Sequence, residues 1–453
     1  LELVRNSGKG VRRAMVSETE SNLLTKVGPE TPMGNLMRCY WIPAAKSSEL
    51  VADGDPLRLM LLGEKLIAFR DSSGNVGIMD HRCPHRCASF FFGRNEGNGL
   101  TCVYHGWKFD AEGNCVDMPN VPADQNFKHK VKAKAYKTEE FNGLIWVFMG
   151  DQENVPPLPA IEPALLEEGE VRFIFAQRKC NWLQALEGDI DTSHFSWLHA
   201  GSIELDQVPA DNPGKYQLTN RAPDYHVADT DWGTMNGAYR ETDNPDELYW
   251  RVAQFLFPFW TMPPDGDFKE HVIARAWVPM DDEHTMFVHI SWVKNAQGLR
   301  VDKAGDPLPG IKLGMDFEPN DSSWFGRWQL SSNESNDYRI DREAQKRNNY
   351  TGITGIHLQD QAITESMGAV TDHGFEHLAP SDRMIIQTRK SLVNAANALA
   401  KETKSPPGSV ETDVFLNARA GDFLADRNLD WREAYDQQMQ QSSDPSGRLK
   451  AAE

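Results

Sequence analysis

The amino-acid sequence predicts an α+β fold, because its N-terminal part carries strand patterns and the rest mixes strand patterns with helical ones. Two short strands are expected at residues 59–69 and 76–79, joined by a turn-forming run of Asp, Ser, Gly and Asn at residues 71–75. An apolar strand at residues 143–149 closes this β-rich part. A Pro-rich run at residues 155–159 follows and is the best candidate for a domain boundary.

The region after this boundary contains both kinds of element. Strands are expected at residues 248–256, 271–278 and 285–293, and helical stretches near residues 182–197 and 383–401. This mixture is the reason for the α+β class. The C-terminal tail is too irregular for any element to be assigned to it.

These patterns divide the chain into three parts. An N-terminal segment spans residues 1–44, a β-rich domain spans residues 45–155, and a second domain spans residues 156–453. Residues 1–14 show neither periodicity nor helix-cap chemistry. We therefore expect them not to be native, and the natural protein to begin at Met15.

The composition excludes several classes of protein. The chain has 453 residues, of which 40% are apolar and 25% charged, as is ordinary for a soluble globular protein. Its net charge of -19 argues against nucleic acid as a partner, since binding phosphate needs a concentrated basic surface. No run reaches the roughly 18 apolar residues that a membrane-spanning helix needs. The start also lacks an apolar signal-peptide core, so a cytoplasmic location without membrane contact is expected.

Two short boxes each pair a cysteine with a histidine. Cys83 and His85 form a Cys-x-His box, and Cys102 and His105 form a Cys-x2-His box, with 16 residues between the boxes. Two thiolates on one iron and two neutral imidazoles on the other are the ligands of a Rieske [2Fe–2S] cluster. A structural zinc site is the alternative, but zinc modules usually pair Cys with Cys and His with His. The boxes therefore favour the iron–sulfur cluster.

Around these boxes the chain resembles the Rieske oxygenases, and within them the phthalate dioxygenase-like group, which has a single type of subunit. The resemblance extends into the second domain and covers most of the chain. The matching residues are Cys83-Pro84-His85-Arg86, Gly93-Arg94-Asn95-Glu96, Cys102-Val103-Tyr104-His105-Gly106-Trp107-Lys108-Phe109-Asp110, and upstream Thr31-Pro32-Met33-Gly34 with Tyr40-Trp41. One departure is Cys87, where the group usually has a small residue such as Gly; we expect Cys87 to be a small buried residue.

The resemblance implies a fold, two cofactors and an activity. The fold is a Rieske β-sandwich domain followed by a helix-grip (START-like) α+β catalytic domain. The cofactors are a [2Fe–2S] cluster on Cys83, His85, Cys102 and His105 and a mononuclear non-heme Fe²⁺. In this family electrons pass from the cluster to the iron, and oxygen from O₂ is added to an aromatic substrate.

A second motif, Asp191-x2-His194-x4-His199, carries one carboxylate and two imidazoles. Asp191 and His194 share a helix face, and His199 can join them if the helix is distorted or ends there. Two His and one carboxylate form the facial triad of non-heme Fe(II) oxygenases. Spacing alone leaves the identity of the carboxylate open. The resemblance implies that Asp360, in the segment 358–368, is the iron ligand and that Asp191 bridges the iron site to a Rieske domain.

Two arginines are candidates for binding substrate. Members of the phthalate-like group hold substrate carboxylates with arginines on the strands after the iron-binding helix, which points to Arg221 and Arg251. A planar guanidinium matches a benzoate-like or phthalate-like anion. A surface charge or a salt bridge is the alternative for each.

The partners follow from what the sequence contains and lacks. We find no Gly-x-Gly-x-x-Gly after a strand and no Cys-x4-Cys-x2-Cys, so electrons must come from a separate flavin/iron–sulfur reductase that uses NAD(P)H. The resemblance favours oxygenation of an aromatic carboxylate and a head-to-tail homotrimer or a pair of stacked trimers. The alternatives are a monooxygenase that demethylates a methoxyaryl acid or hydroxylates once, a pure Rieske electron carrier, and a zinc-stabilised interaction module.

Overall fold

The computed structural model describes residues 16–295, 298–308, 310–402 and 404–447, without the side chain of residue 402. Residues 1–14, which we expect not to be native, lie outside the described residues. Three antiparallel sheets and eight α-helices organise the described chain. The helices are α1 (Glu18–Thr25), α2 (Pro32–Met37), α3 (Trp182–Ile190), α4 (Tyr216–Thr219), α5 (Arg342–Arg347), α6 (Ile356–Ser366), α7 (Arg383–Glu402) and α8 (Trp431–Gln441).

Two of the sheets form the N-terminal domain. Its strands are β1 (Trp41–Lys46), β2 (Leu57–Leu61), β3 (Glu64–Arg70), β4 (Val76–Asp80), β5 (Arg94–Asn95), β6 (Leu100–Thr101), β7 (Lys108–Phe109), β8 (Cys115–Asp117), β9 (Ala135–Phe141) and β10 (Leu144–Phe148). A six-stranded sheet has the order β1-β10-β9-β4-β3-β2, and a four-stranded sheet has the order β5-β6-β7-β8. The two Cys/His boxes lie in the loops β4–β5 and β6–β7.

The predicted strand at residues 59–69 is in fact a hairpin of β2 and β3. Leu62 (φ 47°) and Gly63 (φ 75°) both have positive φ, as a tight two-residue hairpin turn requires. The prediction of one strand was wrong because Leu62 carries none of the usual sequence signals of a turn. The turn at residues 71–75 is confirmed, since the Asp71 carboxylate accepts hydrogen bonds from the backbone of Ser73 and Asn75.

The third sheet builds the second domain. Its strands are β11 (Val171–Arg178), β12 (Asp224–Asp229), β13 (Gly233–Glu241), β14 (Glu247–Leu256), β15 (Trp260–Met262), β16 (Ile273–Pro279), β17 (Thr285–Trp292) and β18 (Gly421–Asp426). The order is β11-β17-β16-β15-β14-β13-β12, and β18 pairs with β14. Helix α3 packs against β15 and β16, and the long helix α7 packs against β12 and β13. The α+β class predicted from the sequence is confirmed.

The two domains share one hydrophobic core. Trp146 of β10 lies 5.9 Å from Trp260 of β15, measured between ring centroids. The backbone N–H groups of Leu62 and Gly63 donate to the carbonyls of Pro279 and Met280, at 2.9 and 2.8 Å. The hairpin turn of the first domain is therefore bonded directly to the end of β16 in the second.

Within the described residues, no helix combines the length and the apolar character needed to cross a membrane.

Candidate metal centres

The two Cys/His boxes fold into matching loops. The carbonyl of Cys83 accepts a hydrogen bond from the N–H of Cys87, and the carbonyl of Cys102 accepts one from Gly106, both at 2.9 Å. Both closing residues have positive φ, 59° at Cys87 and 79° at Gly106. This conformation suits glycine, so Gly106 adopts it without strain while Cys87 does not. Each loop thus turns tightly enough to bring its cysteine and its histidine to the same side of the loop.

Our expectation that Cys87 is buried was wrong, because this residue is exposed. Its position at the closing corner of the loop turns its side chain to solvent, whereas Cys83 and Cys102 are buried, with 1% and 3% of their surface accessible. Spacing within the box could not reveal this difference, because it depends on the direction in which the loop turns.

The atoms inside the two loops fit a Rieske cluster. The Nδ1 atoms of His85 and His105 are buried and have no hydrogen-bond partner among the described residues. The two rings lie 4.4 Å apart between centroids, and His85 stacks on Trp107. Burial, and to a smaller extent the nearby Cys102, raises the pKa of the Cys83 thiol to about 12. Two buried thiols and two unpartnered imidazole nitrogens are the donor set that a [2Fe–2S] cluster would complete.

The second motif lies where α3 ends. The helix stops at Ile190, Asp191 has extended backbone angles (φ -76°, ψ 101°), and one π-helical turn follows at Phe195–His199. The expectation that Asp191 and His194 share a helix face was wrong, because the helix ends before Asp191. That end of the helix is the condition under which His199 can reach His194. The Nε2 atoms of the two histidines lie 3.1 Å apart. The π-turn thus turns two side chains toward one point, as π-turns at functional sites often do.

Helix α6 brings a carboxylate to the same point. Asp360 Oδ1 lies 3.0 Å from His199 Nε2 and 3.6 Å from His194 Nε2. One ligand atom from each of the three side chains lies within 4.8 Å of the others. Burial alone would raise the pKa of Asp360, but His199 and His194 hold the pKa below the ordinary carboxyl value. Three convergent atoms, two imidazole and one carboxylate, fit the facial triad of a non-heme iron site.

Hydrogen bonds to their Nδ1 atoms orient the imidazoles of His194 and His199. Gln359 Oε1 lies 2.6 Å from His199 Nδ1, and the carbonyl oxygen of Asp191 lies 2.5 Å from His194 Nδ1. Each oxygen can only accept, so each Nδ1 carries the proton and each Nε2 is the nitrogen available to bind a metal.

The Asp191 side chain does not join this cluster. Its Oδ1 accepts from the backbone N–H and the hydroxyl of Ser193, both at 2.8 Å, and its Oδ2 lies 3.8 Å from His194 Nδ1. About a fifth of the side chain is accessible, at 22%. The carboxylate therefore lies on the outer side of His194, away from the converging Nε2 atoms.

A narrow cleft opens beside the three converging side chains, and several charged residues line it. Its remaining lining residues are Asp189, Asp191, Thr192, Phe195, Arg251, Pro263, Pro264, Asp265, Arg275, Ile356 and His357. Arg275 donates to Asp189 and, at 2.9 Å, to Asp265. Sequence reasoning missed these ion pairs. Arg275 lies on β16 and Asp265 in the loop before it, both far from the iron motif in sequence, so no local signal connects them to it.

The structure separates the two candidate arginines. Arg251 is 2% exposed and lines the cleft, where its terminal nitrogens donate to the carbonyls of Thr192 (3.2 Å) and Pro264 (2.9 Å). Arg221 lies in a neighbouring surface groove, with its guanidinium carbon 4.7 Å from the centroid of a Trp197 ring. The structure thus brings Arg251, and not Arg221, to the cleft beside the histidines.

Comparison with known proteins agrees with this fold and with these candidate metal sites. Residues 40–136 match the family described as Rieske [2Fe-2S] domain, and residues 147–450 match the family described as LigXa C-terminal domain like. The chain is 50% identical to the 3-chlorobenzoate-3,4-dioxygenase oxygenase subunit of Comamonas testosteroni, over 92% of this chain and 97% of that protein. It is 34% identical to the phthalate 4,5-dioxygenase oxygenase subunit of Pseudomonas putida, over 92% of this chain and 94% of that protein.

A solved structure shares the fold. The crystal structure of dicamba monooxygenase bound to dicamba aligns with a TM-score of 0.52 at 17% identity, covering 81% of this chain and 99% of that one. Both sequence relatives match along nearly their whole length, and both are oxygenase subunits. The chain therefore belongs to the Rieske non-heme iron oxygenases and is the oxygenase component of such a system.

Proposed function

We propose that the enzyme oxygenates an aromatic carboxylate, such as a benzoate or a phthalate, with electrons from a separate NAD(P)H-dependent reductase. The observation that carries this proposal is the cleft beside His194, His199 and Asp360, which is lined by the buried Arg251, a guanidinium whose terminal nitrogens bond backbone carbonyls. A cleft for a neutral hydrocarbon would gain nothing from buried charges, because their desolvation is costly. The two relatives, named for 3-chlorobenzoate and phthalate, support the same class of substrate.

In this proposal Cys83, His85, Cys102 and His105 hold the cluster, and His194, His199 and Asp360 hold the iron. When bound, the cluster supplies single electrons and the iron supplies the position at which O₂ reacts. The protein holds both imidazoles in one tautomer through Gln359 and the Asp191 carbonyl. Ion-paired side chains around the cleft keep the substrate's ring in a fixed orientation and limit the access of water.

We also propose that Asp191 bridges two subunits of a head-to-tail ring, a trimer or two stacked trimers. Its Oδ2 is not taken by Ser193, and the side chain is partly accessible. The loop of the second box presents Val103 and Tyr104 to solvent, at 57% and 54% accessibility, next to His105. A heterologous contact between these two surfaces would close by rotation into a ring and would place one subunit's cluster near its neighbour's iron.

The function can be tested with purified oxygenase and a surrogate reductase. A panel of 3-chlorobenzoate, phthalate and 3-methoxybenzoate is incubated under ¹⁸O₂, with the corresponding amides as neutral controls. We expect an ¹⁸O-labelled product from at least one acid. The number of labelled atoms distinguishes dioxygenation from single hydroxylation, and formaldehyde release identifies demethylation. Turnover of the neutral compounds alone would contradict the proposal.

A further inference from the structure

His357, on α6, is a third histidine in the wall of the cleft, and neither metal centre uses it. It lies three residues before Asp360, so the two side chains project from the same face of the helix. The residue is buried, with 7% of its surface accessible. His357 therefore borders the space beside the point where His194, His199 and Asp360 converge.

The ring of His357 packs against other rings, and its nitrogens lack hydrogen-bond partners. Its centroid lies 5.5 Å from that of Phe287 and 6.2 Å from that of His289, both on β17. Within the described residues, no hydrogen bond joins either ring nitrogen of His357 to another group. Buried imidazoles normally form hydrogen bonds, because a polar group taken out of water loses those it made there. A ligand in the cleft would supply the missing bond.

The charged side chains that share this wall are already engaged by protein groups. Arg275 donates to Asp189 and to Asp265. The terminal nitrogens of Arg251 donate to backbone carbonyls. His357 differs from these residues, because its two ring nitrogens are not taken by the described part of the chain.

The electrostatic surroundings of His357 favour a neutral partner. Burial, and then the charge of Arg275, lower the pKa of His357 to about 3, so the imidazole is uncharged at neutral pH. It then offers one N–H donor and one lone pair. Arg275 and Arg178 lower this pKa, whereas Asp360 and Asp265 raise it. Two cations and two anions thus face the ring, and their charges balance. A hydroxyl group, which is neutral and can both donate and accept, matches such a site.

We propose that His357 is a specificity-determining residue that binds a phenolic hydroxyl group on the ring of the substrate. This inference rests on the proposed function and narrows the aromatic carboxylate to a hydroxybenzoate. The hydroxyl donates to the imidazole lone pair or accepts from the imidazole N–H. A methyl group in the same place would leave the buried imidazole without a hydrogen bond, which weakens binding. Hydroxybenzoates should therefore bind more tightly than methylbenzoates of similar size.

The test compares hydroxyl and methyl compounds in the holoenzyme. Calorimetric titration gives the Kd of 3-hydroxybenzoate and 3-methylbenzoate, and of the corresponding 4-substituted pair. In the wild type, the hydroxyl compound of at least one pair should bind about tenfold to a hundredfold more tightly than its methyl partner. In His357→Phe the ring has no hydrogen-bonding atom, so the two Kd values of that pair should agree within about threefold. His357→Gln keeps a donor and an acceptor and should restore part of the preference.

A neighbouring histidine provides the matched control. His289 contacts the rings of Phe287 and His357, but it is not among the residues that line the cleft. His289→Phe should therefore keep the wild-type preference for the hydroxyl compound. Iron content, measured by mass spectrometry, should equal that of the wild type in every variant compared, because His357 shares its helix with Asp360. If His357→Phe fails to fold or loses iron, the wild-type preference and the His357→Gln variant still test the inference.

Specific outcomes would overturn the inference. Wild-type enzyme that binds the two members of each pair equally well has no group that recognises a hydroxyl. A preference that persists in His357→Phe, or that disappears to the same extent in His289→Phe, would remove His357 from this role. All of these results leave the proposed function intact, because the acids are bound. Enzyme that binds none of the four acids would also refute the inference, and the panel of other acids and amides then decides the proposed function separately.

Discussion

Gln359 shows how one residue outside the metal ligands controls the iron site. Its Oε1 accepts from His199 Nδ1, and its amide nitrogen donates to the Ile353 carbonyl at 2.9 Å. This second bond fixes which amide atom faces the histidine. The histidine therefore has one tautomer and one ring orientation before any metal binds.

We predict that Gln359→Leu weakens iron binding by about tenfold to a hundredfold, because the His199 ring loses its orienting acceptor. Iron retained after dialysis against a chelator, measured by mass spectrometry, should fall toward two atoms per chain while the visible spectrum of the cluster stays unchanged. Gln361→Leu is the matched control on the same helix, since Gln361 is also buried but bonds Glu365. Equal iron retention in the two variants would contradict this role.

Cys87 offers a prediction about the cluster loop. Replacing a side chain at positive φ by glycine removes a strain of about 1 kcal/mol, so Cys87→Gly should raise the melting temperature of the Rieske domain slightly. Because Cys87 is exposed, the variant should keep the cluster spectrum, whereas Cys102→Ser should abolish it. Differential scanning calorimetry and visible absorption measure the two effects, and loss of colour in Cys87→Gly would give this cysteine a role that its exposure does not suggest.

At the scale of elements, the C-terminal region is anchored by a buried ion pair. Arg419, just before β18, donates to Glu162, just after the Pro-rich linker, with side chains 1% and 2% exposed. Strand β18 then pairs with β14 inside the large sheet. The segment before β18 is thereby fastened to the residues that follow the Pro-rich run.

We predict that Arg419→Met lowers the free energy of unfolding by about 3–5 kcal/mol, because it removes the guanidinium that pairs with the buried Glu162 carboxylate. The comparison is Arg427→Met, which breaks an ion pair with Glu241 whose side chains are 37% and 65% exposed. That change should cost at most about 1 kcal/mol. Urea unfolding followed by tryptophan fluorescence measures both, and similar losses would show that burial of the pair does not matter.

Elements with strong patterns could be predicted from the sequence, and those that depend on tertiary partners could not. Strand β14 and helix α7 were predicted to within about two residues of their observed bounds, because each carries a long apolar periodicity. Strand β18 and helix α8 were missed. The last three residues of β18 are partly or fully exposed, and α8 buries only Ala434 and Tyr435, so neither has a full apolar face.

The residues of the site also fall into those that the sequence reveals and those that it does not. His194 and His199 are close in sequence, and a motif reveals them, whereas Asp360 could be assigned only by resemblance because α6 reaches them across more than 150 residues. The ion pairs of Arg275 with Asp189 and Asp265 carried no sequence signal, because only the three-dimensional structure shows that these side chains meet beside the histidines. A sequence can thus indicate ligands that are close together along the chain, but not the ion pairs that surround them in the folded protein.

For the whole molecule, the proposed ring can be tested by complementation. A chain without a cluster (His105→Ala) is co-expressed with a chain without iron (His199→Ala), each with its own affinity tag. Neither variant should be active alone, yet mixed rings should recover activity, because some interfaces pair an intact cluster with an intact iron site. Metal content confirms each defect. Doubly purified mixed rings without activity would exclude transfer between subunits.

The continuous core between the domains has a kinetic consequence. The contact of Trp146 with Trp260 and the bonds from Leu62 and Gly63 to the second domain fix this junction at several points. Electron carriers that swing between docking positions slow down in viscous solvents, because domain rotation must push solvent aside. Here the domain that carries the two Cys/His loops is packed against the second domain. We therefore expect the rate at which the iron site oxidises the cluster to be unaffected by added glycerol or sucrose. Stopped-flow measurements on pre-reduced enzyme at matched water activity test this expectation. A rate of cluster oxidation that falls as viscosity rises would contradict it.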